Sequence, residues 1–281
     1  QMVALTSTQI AYLADTQVQV LKSSQLQAIE TSDIAGIADT QITALTSTQV
    51  GYLTTSQVVQ LNSAQIQAID ASDIDNLGTA QIAALDTNQV AALSVQQVSA
   101  LSSTQVAYLS TAQLAALSSS NIGHLALEGL STAQLLGLES GDVAFVSSGS
   151  ISRLTSTQVA GLSEDQIRGL TSSNIVSINL SGLSTRQLSA IDAGALPGFG
   201  AGALGSMTST QLGVLTTGQL RALSIVGPVG MALEGLSTGQ WVLMATDDLV
   251  SLTTRQWAAM ASDDLVALTT AQWAAMATDD L

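Results

Sequence analysis

The sequence predicts an all-α solenoid of short helices built from 8-residue repeats. Three observations carry this. A Gln, Asp or Asn recurs every eight residues from Gln9 to Asn121. An aliphatic residue follows it, and a second stands three residues further on, as with Val50 and Leu53. Mostly small polar residues fill the remaining positions, so the octad reads L-[ST]-[ST]-[ST]-Q-[VIL]-x-A. A fixed internal period of this kind is the signature of a repeat architecture.

The polar triplet supplies the start of each helix. Thr46-Ser47-Thr48-Gln49 fits a capping box, in which a hydroxyl N-cap is answered by Gln three residues later. Where Ala14, Lys22 or Ala38 stands first, the cap is expected to pass to Asp15, Ser23 or Asp39. The aliphatic pair supplies the buried face. Positions i and i+3 share one face of a helix but fall on opposite faces of a strand. One continuous helix is excluded, because about 100° per residue turns the apolar stripe by about 80° each octad. Each octad therefore makes a helix of about one and a half turns. Such helices are far shorter than the roughly 12–15 residues an isolated helix needs. They can persist only by burying Val, Ile and Leu between stacked coils. The Thr, Val and Ile content leaves a β-solenoid as the alternative.

Longer periods divide the chain into 1–80, an octad array with a 40-residue unit; 81–239, with a 53-residue unit; and 240–281, with a 16-residue unit. The 53-residue unit is marked by LEGLSTAQ (127–134), LSGLSTRQ (180–187) and LEGLSTGQ (233–240). In it Gly129, Gly182 and Gly235 are expected in the left-handed conformation that ends helices. The Gly-rich stretches 192–206 and 226–231 are expected to be loops replacing octads. The array shows no capping repeat at either end, so the chain is read as a segment of a longer array.

Composition narrows the function. Six Lys+Arg against 21 Asp+Glu give a net charge of −15, which argues against nucleic acid and anionic membrane surfaces as partners. There is no Cys and one His, which removes thiolate chemistry and most His-based constellations. No apolar run is long enough to insert in a membrane. Strings such as ALTSTQVGYLTTSQVVQL and AALSSTQVAYLSTAQLAAL resemble the L-T-T-x-Q-V-x-A-L arrays of large bacterial surface or secreted proteins, adhesin-like or haemolysin-like. The resemblance implies an extracellular bacterial protein and brings no catalytic residues with it.

Candidate sites are few. Asp247-Asp248, Asp263-Asp264 and Asp279-Asp280 recur at 16-residue spacing and offer oxygen ligands to Ca²⁺ if stacked on one face. They equally suit the first turn of a short helix, where acids complement the dipole. Trp241, Trp257 and Trp273 follow Gln in the slot filled upstream by Ile, Val or Leu. They are expected in the core or at a subunit contact, with glycan stacking as the other use. The repeated Gln is either a cap with a solvent-facing amide or a ladder serving free helix ends. His124 has no partner assignable by spacing. The expectation is a structural protein, not an enzyme, with no resident cofactor. It would be part of an extracellular filament, stalk or adhesin that assembles with itself and touches a cell surface or glycan. The alternative is a binding module for glycan, Ca²⁺ or ice on the same scaffold.

Overall fold

The computed structural model describes residues 6–199, 207–223, 233–258 and 260–276. Every regular element among them is a short α-helix or 3₁₀ turn, with no strand. The expected all-α solenoid therefore holds and the β-solenoid alternative does not. Two compact units form, Gln1–Phe145 and Val146–Leu281.

In the first unit, helix Ser7–Ala11 packs on Thr31–Ile34, which packs on Thr55–Gln60, which packs on Thr79–Ala84. Each partner lies three octads along, so three octads close one coil. The second unit repeats the rule: Ser148–Ser152 meets Ile175–Ser177, then Leu196–Gly198, then Thr217–Leu223. The aliphatic pair fills the space enclosed, with Val50, Leu53, Val58 and Leu61 all buried. The 40-residue unit holds five octads, so equivalent residues of successive units fall on different sides of the coil.

The hydroxyl-and-Gln box forms as expected. Thr54 Oγ1 accepts from Gln57 N at 3.2 Å while Gln57 Oε1 accepts from Thr54 N at 2.9 Å. At Ala14, Lys22 and Ala38 the cap does not move to the next residue. These three remain the N-cap, and only the Gln half of the box survives, as in Ala14 N to Gln17 Oε1 at 2.8 Å. The buried aliphatic pair fixes the register, and a cap worth about 1 kcal/mol cannot shift it without exposing both residues.

The glycines of the LEGL motif also differ from expectation. None of Gly129, Gly182 and Gly235 has a positive φ. Each closes a 3₁₀ turn that serves as a full side of the coil, resting on Ser103–Val106, Ser156–Ala160 or Ser209–Gly213. Glycine is required there by close approach. A Cβ on Gly129 would overlap the Ser103 carbonyl, whereas one on Gly182 would stand 3.0 Å from Ser156 O. Gly129→Ala is expected to cost about 1–3 kcal/mol through overpacking of backbone on backbone. Gly141→Ala meets nothing within 4 Å in its helix and should be neutral or gain up to about 1 kcal/mol. Thermal melts of the two variants make the comparison.

The Gly-rich stretch 192–206 is not simply a loop. Its described part, 192–199, forms a side of the coil, with Ala195, Leu196 and Phe199 buried. Residues 200–206 and 226–231 lie outside the described residues.

Candidate functional site

The repeated Gln is the most elaborated group in the molecule. It is buried at one position after another, including Gln49, Gln57, Gln65, Gln89 and Gln97. Its Oε1 serves its own N-cap. Its Nε2 reaches back to the end of the octad four places earlier. Gln57 Nε2 donates to Leu26 O at 2.8 Å and Ile29 O at 2.9 Å; Gln97 Nε2 donates to Ile66 O and Ile69 O, both at 2.8 Å. In the second unit Gln219 does the same to Leu188 O and Ile191 O, both at 2.8 Å. One amide thus satisfies the donor left over at one helix start and the acceptors left over at another helix end. Both sequence readings of the Gln are realised at once, but the amide does not face solvent. Among the described residues, backbone–backbone bonds outside the helices stay local, and coil-to-coil bonds are made by side chains.

Substitutes at the Gln position follow from donor chemistry. Asn121 keeps a donor, and its Nδ2 reaches Leu93 O at 2.9 Å. Asp has no donor when ionised. Its carboxylate turns instead to the helix three octads back. Asp142 Oδ1 accepts from Ser119 Oγ at 2.7 Å, Asp264 Oδ1 from Thr238 Oγ1 at 2.8 Å, and Asp33 Oδ1 from Ser7 N at 3.0 Å.

The acidic pairs occupy the same scheme. Asp248 and Asp264 hold the Gln position and are buried; Asp247 and Asp263 are exposed. Asp264 Oδ2 also accepts from Ala261 N at 3.1 Å. Because pairs two octads apart do not stack when three octads close a coil, Asp247-Asp248 and Asp263-Asp264 lie on different sides. Asp279 and Asp280 lie outside the described residues. Among those described, no group of three or more acidic or histidine side chains is gathered as a metal site.

Burial holds the Asp248 carboxyl up to about 6, helped by the charge of Asp247. A folded-state value above the ordinary 3.8 means that the fold holds this proton more tightly than the unfolded chain does. Acidification from about pH 6 toward about pH 4 should therefore stabilise through this group, and the benefit is absent above about pH 6. Asp248→Asn is expected to raise the melting temperature at pH 7 and to flatten that part of the pH profile. A profile unchanged by the substitution would remove Asp248 as its source.

The three tryptophans grade outward. Trp241 is 1% exposed and sits in the core, Trp257 is half-buried, and Trp273 is 46% exposed. Trp257 and Trp273 share a 270 Å³ cleft with Val250, Leu265 and Met276. His124 is exposed on the coil surface. No helix among the described residues is long and apolar enough to cross a membrane.

Fold and site together define an all-α repeat protein whose coils are clamped by glutamine side chains. Three stretches, residues 26–63, 66–103 and 136–172, match the model of the ALTTAQ repeat family. No curated protein matches the chain. Among solved structures, the leucine-rich repeat-containing protein LegL7 from Legionella pneumophila aligns over 79% of this chain and 69% of its own. Its sequence identity is 11% and its TM-score 0.19, too slight a likeness to carry an argument.

Proposed function

We propose that the chain is a structural segment of an extracellular bacterial filament, stalk or adhesin, acting through self-assembly and surface contact and not through catalysis. The observation that carries this is the glutamine ladder. From Gln41 onward the Gln repeated along the array joins one coil to another, so added octads extend the array without a new core. The surface is rich in Ser and Thr, carries one lysine, and bears a net charge of −15 that opposes nonspecific association. The resemblance to bacterial surface arrays supports the location.

Electron microscopy of the purified chain and of the native material is the test. Filaments or end-joined particles are expected. Isolated monomers carrying ligand density would favour the binding-module alternative, for which the cleft between Trp257 and Trp273 is the one supporting feature.

A further inference from the structure

Asn179 carries an amide that the fold uses only in half. Asn121 and Asn174 stand buried in the Gln position and spend Nδ2 on the carbonyls of Leu93 and Val146. Asn179 is exposed, at the start of the 3₁₀ turn Leu180–Gly182. Its Oδ1 accepts from Ser181 N at 3.1 Å and from Ser181 Oγ at 2.6 Å. Among the described residues nothing accepts from its Nδ2. The acceptor duty does not call for an amide. Asp70 accepts in the same way from Ser72 N at 2.9 Å and Ser72 Oγ at 2.7 Å, and Asp192 from Gly194 N at 2.7 Å. A carboxylate is the stronger acceptor for such a turn. At Asn179 the turn takes the oxygen and leaves the nitrogen to solvent.

The repeat marks this arrangement as a departure. The turn reads Ala126-Leu127-Glu128-Gly129 in one 53-residue unit and Ala232-Leu233-Glu234-Gly235 in another. Between them it reads Asn179-Leu180-Ser181-Gly182, so the Ala and the Glu have changed together. The result is Asn-Leu-Ser, and none of the other five asparagines has Ser or Thr two residues on. Asn-X-Ser/Thr is the acceptor pattern of N-linked glycosylation. Gln211 Nε2 donates to Leu180 O at 3.2 Å, so a glutamine clamp fixes the backbone of the tripeptide. Beside it opens a cleft of about 500 Å³, walled also by Thr208, Thr210 and Gln211. Their hydroxyls and amide are partners for the hydroxyls of a sugar.

We propose that Asn179 is a modification site that takes an N-linked sugar from a glycosyl diphosphate. Nδ2 forms a bond to the anomeric carbon of the sugar. The bond from that carbon to the diphosphate oxygen breaks, and the diphosphate leaves with the electron pair. One Nδ2 proton passes to a base of the transferase. The Ser181 hydroxyl on Oδ1 makes that N–H more acidic and so assists its removal. The site goes beyond the function proposed above and does not depend on self-assembly.

The test is mass spectrometry of the native material, on peptides spanning Asn179. A peptide heavier by whole sugar residues is expected, and an amidase that cleaves N-linked glycans should leave aspartate in place of Asn179. Variants expressed in the same cells separate the site from the turn. Asn179→Asp keeps the acceptor that the turn uses and should leave the melting temperature unchanged while abolishing the modification. Ser181→Ala should lower occupancy at least tenfold, and Ser181→Thr should keep it. Incubating the unmodified chain with washed membranes, or with the soluble fraction and a nucleotide sugar, tells a lipid-linked donor from a nucleotide-linked one. Transfer by either supports the site. A bare Asn179 in the native material, or occupancy that survives Ser181→Ala, would overturn it. Filaments with a bare Asn179 would overturn this site alone, and a modified Asn179 on a chain that never assembles would overturn only the self-assembly reading.

Discussion

Gln97→Glu is expected to destabilise the first unit by about 4 kcal/mol at pH 7. Gln97 is 1% exposed, and its Nε2 holds two carbonyls of the octad four places earlier. Glutamate preserves the bond from Ser94 N to Oε1. It replaces the shared donor with a second acceptor, so a carboxylate faces two carbonyl oxygens in a seam closed to water. The loss should shrink as the pH falls, because a buried carboxyl titrates above its ordinary range and, once protonated, donates to one of the carbonyls. Gln9→Glu is the control. It alters the same side chain where, among the described residues, only the N-cap Thr6 is bonded to it, and should change stability by no more than about 0.5 kcal/mol. Urea unfolding of both variants across pH 5–8 decides the matter. Equal losses at the two positions would show that the amide works only as a cap.

Trp241→Ala should cost about 3–5 kcal/mol, the range for emptying a large aromatic site in a packed interior. Trp241 is enclosed, and its carbonyl accepts from Gln272 Nε2 at 3.2 Å, so the backbone is pinned while the cavity opens. Trp257→Ala, at a half-buried ring lining an open cleft, should cost about 1–2 kcal/mol. A Trp257 loss as large as that of Trp241 would mean that the cleft is closed in solution. Thermal unfolding of both, with acrylamide quenching of the remaining indoles, separates the two cases.

The helices and their buried faces were legible in the sequence because both signals are local. Val50 with Leu53 gives the face, and Thr46 with Gln49 gives the start. The number of octads per coil was not legible. Every octad carries the same pattern, so nothing in one octad marks which other it stacks upon. The second duty of the Gln was hidden for the same reason, since its partners lie 28 and 31 residues back. One signal pointed to it. Only Asn and Asp replace Gln in the regular array from Gln9 to Asn121. A solvent-facing cap would also have admitted Ser, Lys or Glu. The glycines of LEGL were misjudged because the left-handed and close-approach roles look alike in sequence. Only the Ser103 carbonyl beneath Gly129 tells them apart. Of the tryptophans, expected in the core or at a subunit contact, Trp241 is enclosed while Trp257 is half-buried and Trp273 is 46% exposed, a difference that their shared place after Gln does not show.

The absence of backbone bonds between coils among the described residues has a mechanical consequence. In a β-solenoid, tension along the stack loads continuous rows of main-chain bonds. Here it loads separate side-chain clamps, one per octad, each of which can release without disturbing the helix that bears it. Stretching would then unwind a unit coil by coil, each yielding three octads of slack, or about 8 nm at roughly 3.4 Å per residue. A unit built this way should give way in small increments, one coil at a time, rather than all at once.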